Sequence, residues 1–129
     1  MTYTWIDHTA ELELELEAED EAGIFTSAVD AFAELLADDV EGPEVTRELR
    51  LDAGERAGLL VELLEEIVYL ADTASFVPVR LLDIDIAQRR AVVGGRTGDP
   101  QPLVKGVTYH GLEFRHENGR WRARVVLDV

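Results

Sequence analysis

Two short acidic stretches, one near each end of the chain, hold the residues best suited to chemistry. Near the start stands Asp7-His8-Thr9-Ala10-Glu11, a polar cluster that the strand following it does not require. Near the end, Leu127-Asp128-Val129 sets a carboxylate inside an otherwise apolar strand pattern. Carboxylates brought together repel unless one is protonated or a cation lies between them. Oxygen-only donors suit a hard cation such as Ca²⁺ or Mg²⁺. Other chemistries find less support. Cysteine is absent, so there is no thiolate nucleophile and no zinc–sulfur site. Ser27 falls within a helical pattern, and Ser75 at a helix end has no nucleophile-elbow context. No phosphate-binding glycine motif occurs, since Gly94-Gly95 alone is too weak. His8, His110 and His116 never recur at metal-ligand spacing. A lone histidine such as His8 is also an ordinary structural hydrogen-bonding group, and Lys105 an ordinary edge-strand charge.

The elements that must position these residues follow from periodicity. Segments 2–7 and 10–19 alternate as strands, with Leu12, Leu14 and Leu16 on one face and Glu11, Glu13, Glu15 and Glu17 on the other. The period then changes to 3.6, with Ile24, Phe25, Ala28, Val29, Phe32, Leu35 and Leu36 on one helical face. Asp20 and Glu21 favour its start, and it should stop near Asp38–Asp39, before Gly42-Pro43. A strand over 45–53 precedes a second helix beginning near Glu55, whose apolar face carries Leu59, Leu60, Leu63, Leu64, Ile67, Val68 and Ala71. Strands over 76–86 and 91–97 form a hairpin around Gln88-Arg89-Arg90. Strands over 104–116 and 120–129 form another around Glu117-Asn118-Gly119. The expectation is a single α+β domain over 1–129, with two helices packed on a largely antiparallel, mixed β-sheet.

Pairing the opening strand with the closing one brings the two acidic stretches together. The antiparallel register that sets Glu15 opposite Arg124 and Glu17 opposite Arg122 makes two favourable cross-strand pairs. It also sets Glu11 opposite Asp128, where a cation would resolve the repulsion. The plainer alternative is a solvated Glu11 and a frayed strand end at Asp128.

Charge narrows the partners. The chain has 27 acidic and 12 basic residues, a formal net charge of −15. Such a surface repels phosphate backbones, so no direct nucleic-acid binding is expected. It suits cations or basic protein partners, and plain solubility as well. No apolar run approaches the roughly 18 residues of a membrane span. The N-terminus lacks signal-peptide features. A soluble cytoplasmic protein without membrane contact is expected.

Three motifs together resemble the archease family: Asp7-His8-Thr9-Ala10-Glu11, LLVELLEEIVYLADT (59–73), and KGVTYHGLEF (105–114) running into WRARVVLDV (121–129). The resemblance spans nearly the whole chain with the motifs in the family's order. It implies a small α/β protein that is not itself an enzyme and that assists an RtcB-type RNA ligase in tRNA splicing. That ligase uses GTP and manganese to join a cyclic or 3′-phosphate end to a 5′-hydroxyl. The helper is understood to promote guanylylation of the ligase and its multiple turnover. The implied metal ligands are Glu11, Asp128 and Val129, the last through its main-chain oxygen. The implied cofactor is a divalent cation, Ca²⁺ first, with Mg²⁺ or Mn²⁺ as alternatives. Asp7, His8 and Lys105 are carried over as partner-facing or supporting positions. One departure stands out: Glu11 occupies a position where the family usually has Asp. Competing readings are a calcium-binding chaperone or adaptor without ligase specificity, and a metal-assisted hydrolase using Glu11, Asp128 and His8.

Overall fold

The computed structural model describes residues 1–8, 10–38 and 42–129. Thr9, the His8 side chain and Asp39 of the expected helix stop lie outside the described residues. The chain runs β1 (Thr2–His8), β2 (Glu11–Ala18), α1 (Glu21–Leu35), β3 (Val45–Arg50), α2 (Arg56–Ala74), β4 (Phe76–Asp85), β5 (Arg90–Thr97), β6 (Gly106–Glu117) and β7 (Arg120–Asp128). Each expected element is present, with ends moved by a few residues.

Local chemistry sets several boundaries. Asp20 caps α1 by accepting a hydrogen bond from Gly23 N at 2.7 Å, satisfying one of the helix's orphan donors. Helix α2 closes on Ser75 in the left-handed region, φ 52°, whose N–H returns to Leu70 O. Between β3 and α2, both carboxylate oxygens of Glu62 accept from Asp52 N at 2.9 Å, and Oε2 also accepts from Ala53 N at 3.0 Å.

The strands divide between two antiparallel sheets, a four-stranded one in the order β1-β2-β7-β6 and a three-stranded one in the order β3-β5-β4. The α+β class with two helices on antiparallel strands therefore holds, with the strands split more finely than periodicity implies. Both helices touch both sheets: α1 packs on β2 and β4, α2 on β6 and β4. Helix composition permits this, because α1 buries Ile24, Phe25, Ala28, Val29, Ala31 and Phe32, a band too wide for contact on one side only. The core joins these to Leu14, Leu60, Leu63, Leu64, Ile67, Phe76 and Leu127, all fully buried or nearly so. At Gly95 the β5 backbone passes so close to β4 that a Cβ would sit 2.5 Å from both the Phe76 ring and Val77 O. Among the described residues, no helix is long and apolar enough to cross a membrane.

Candidate functional site

Strand β2 pairs with β7 in the register derived from charge: Glu11 faces Asp128, Glu15 faces Arg124 and Glu17 faces Arg122. Alternation fixes the faces. Leu12, Leu14 and Leu16 turn toward the helices, so Glu11 and Asp128 share the open face, where both are exposed. Cross-strand neighbours of this kind have Cβ atoms roughly 4.5–5.5 Å apart.

Three strands of this sheet bring a sequence-selected residue to the same end, and Lys105 immediately precedes the fourth. His8 is the Cα partner of Glu11, Glu11 of Asp128, and Asp128 of Gly106, which follows Lys105. The end of β7 is tied down on both sides, unlike a frayed terminus. Lys105 N donates to Asp128 O at 2.7 Å, and Val129 N makes a long hydrogen bond, 3.4 Å, to Ala10 O. Ala10 turns the chain from β1 into β2 with φ 60°, a left-handed conformation an alanine seldom adopts. Asp7 does not join the pair. Its Cα partner is Leu12, which places it on the helix-facing side of the sheet, although the residue is exposed at the rim.

As donors, Glu11, Asp128 and the main-chain oxygen of Val129 form an all-oxygen set, which fits a hard divalent cation and not a soft one. Among the described residues, no group of three or more histidine, cysteine, aspartate or glutamate side chains is placed to hold a metal.

The remaining histidines lie elsewhere. His116 stacks on Trp121 with ring centroids 4.8 Å apart, and the Arg56 guanidinium lies 4.9 Å from the same indole. That cluster is at the far end of β7, about 25 Å from Asp128 at the usual rise per residue. His110 is exposed within an irregularity of β6 that periodicity does not reveal. Between Thr108 and Glu113 the pairing with β7 shifts by several residues. Gly111, at φ 72°, permits the detour, and a side chain there would meet Val126 at 3.6 Å. The detour also redirects an ion pair. Arg124, although opposite Glu15, donates to Gly111 O at 3.0 Å and to Glu113 at 3.2 Å. Glu17 keeps its expected neighbour Arg122 at 3.7 Å and takes a closer one, Arg120, at 2.5 Å.

Comparison with known proteins places this geometry. A model of the Archease protein family (MTH1598/TM1083) matches residues 3–129. The chain is 30% identical to protein archease of Methanopyrus kandleri over the full length of both, and 36% identical to a probable protein archease of Mycobacterium tuberculosis, covering 96% of this chain and 73% of the other. A crystal structure from Thermotoga maritima, described as an archease and possible chaperone, superposes with a TM-score of 0.72 at 17% identity, covering 96% of this chain and 94% of that one. The solution structure of protein 1598 from Methanobacterium thermoautotrophicum gives 0.68 at 27% identity, with 98% of each chain covered.

Proposed function

The chain belongs to the archease family, and on that premise we propose that it is a non-enzymatic protein cofactor of an RtcB-type RNA ligase in tRNA splicing. In this role it promotes guanylylation of the ligase and its multiple turnover. The observation that carries the reading is the facing pair Glu11 and Asp128 at a strand end held by Lys105 and Ala10. A rigid acidic tip of this kind suits insertion beside the metal- and nucleotide-binding centre of a partner. Glu11, Asp128 and the Val129 main-chain oxygen would hold a divalent cation, with Ca²⁺ the first candidate. When bound, that ion supplies positive charge that offsets the repulsion of the two carboxylates. The chain's own part is to present this tip on a sheet that cannot slip, since a one-residue shift would turn Glu11 into the core. The extra methylene of Glu11 lengthens one arm of the site, so its metal preference should differ from that of an Asp-bearing relative.

The test is guanylylation of the ligase by GTP with and without sub-stoichiometric amounts of this protein. Unchanged rate and turnover would sink the assignment. Asp128→Ala sharpens the test. The variant is expected to keep its thermal stability within a few degrees and to lose stimulation of the ligase. A large loss of melting temperature together with activity would make the site a structural fastener. The description of the Thermotoga relative as a possible chaperone supports a second reading, a general chaperone or adaptor. Broad suppression of aggregation without stoichiometric ligase binding would favour it.

A further inference from the structure

Helix α2 has two unlike faces. Leu59, Leu60, Leu63, Leu64 and Ile67 are buried in the core. On the outer side Glu65, Tyr69 and Asp72 line up at helical spacing with Glu66 beside them. Together with Val68 they border an open groove of about 380 Å³ that ends on Lys105 and Gly106.

Two features of this face bring the isolated chain no benefit. Tyr69 is 60% exposed, a large aromatic residue left in water. Glu65, Glu66 and Asp72 lie in the C-terminal half of a 19-residue helix whose last turn holds no basic residue. Asp72, in that last turn, meets the negative end of the helix dipole, and Glu65 and Glu66 add like charge on the same face. On the open sheet face, by contrast, arginines pair with Glu17, Glu113 and Glu117. Among the described residues, none of Glu65, Glu66 and Asp72 takes part in an ion pair.

We propose that this groove is the surface on which a protein partner docks, one that offers lysine or arginine side chains around an apolar contact for Tyr69. The inference rests on the function proposed above, with the ligase as that partner. Positive groups on the partner would relieve the unneutralised stripe and steer the encounter, while the tyrosine supplies the central anchor. The groove also leads to the acidic tip. Lys105, at its end, donates its N–H to Asp128 O, and Gly106 is the Cα partner of Asp128. A partner seated on α2 therefore has the Glu11–Asp128 pair at the edge of the contact.

The experiment measures binding of this protein to the purified ligase by titration calorimetry and stopped-flow, alongside stimulation of guanylylation. Tyr69→Ala is expected to weaken binding by about tenfold or more while leaving the fold intact. The double variant Glu65→Lys, Glu66→Lys should slow association and flatten its salt dependence. Asp72→Asn should weaken binding yet raise the melting temperature slightly, a combination that a structural role for Asp72 would not produce. If the wild type stimulates the ligase and these variants bind as it does, the groove is not the docking surface and the functional reading stands. If the wild type neither binds nor stimulates, that reading fails and takes the inference with it. Concentration-dependent dimerisation abolished by Tyr69→Ala would assign the face to a second copy of the chain and overturn the proposal.

Discussion

At the scale of single residues, packing changes how two side chains near α1 ionise. Asp30 on α1 has its carboxyl pushed above the ordinary aspartate range because partial burial disfavours the charged form. The Tyr3 phenol is likewise held above its usual value of 10.0, chiefly by its hydrogen bond to Glu34, then by loss of solvent and the nearby charges of Glu34 and Asp30. The sign for Asp30 is clear. A raised carboxyl favours folding most when protonated, below the ordinary value of 3.8, and that contribution is lost as pH rises through the folded-state value. At neutral pH the ionised side chain therefore weakens the fold. Asp30→Asn should melt at a higher temperature than the wild type at pH 7, with the gain shrinking toward pH 4 in a series of thermal scans. A constant gain at every pH would trace it to packing instead. Glu62 has a different role, accepting backbone hydrogen bonds.

At the scale of elements, Glu62 ties the segment after β3 to α2. Its two oxygens take the N–H groups of Asp52 and Ala53, neither of which is fully buried. Glu62→Ala would return those donors to water and loosen the link between the three-stranded sheet and the helix. A loss of about 1–2 kcal/mol is expected from urea unfolding, toward the low end for a charged acceptor because the donors are partly exposed. Glu62→Gln, which keeps one acceptor oxygen, should lose less. Equal losses would show that one neutral acceptor oxygen rescues nothing and that the carboxylate's charge or its second oxygen is required. Element pairing also decides which charges meet. Strand β7 lies between β2 and β6, so Arg124 has acidic neighbours on both sides, and the Gly111 detour draws it toward Glu113.

At the scale of the whole molecule, the net charge of −15 sets the response to salt. Two influences compete. Screening weakens the exposed ion pairs of the sheet face, each contributing about 0–1 kcal/mol, and it also weakens the repulsion among the excess carboxylates. With so large an imbalance the second should win. The melting temperature is expected to rise by a few degrees between about 10 mM and 0.5 M NaCl. A fall over that range would mean that the ion-pair network outweighs the net repulsion.

Much of this protein was already determined by the sequence alone. Periodicity and turn residues located each of the nine elements found among the described residues. Strict alternation in 11–18 fixed which face holds Glu11, and one assumed register, pairing Glu15 with Arg124 and Glu17 with Arg122, set Glu11 opposite Asp128; two-residue shifts also pair opposite charges, and the structure selects among them. Those features depend on local geometry and on pairwise charge, both written in residue spacing. The tertiary structure decided the rest. It split the strands into two sheets, turned Asp7 away from Glu11, detoured β6 at Gly111, and set Tyr69 beside Lys105 on one groove. Each of these depends on which distant segments come to lie side by side. Periodicity along a chain says which way a residue faces; only packing says what it faces.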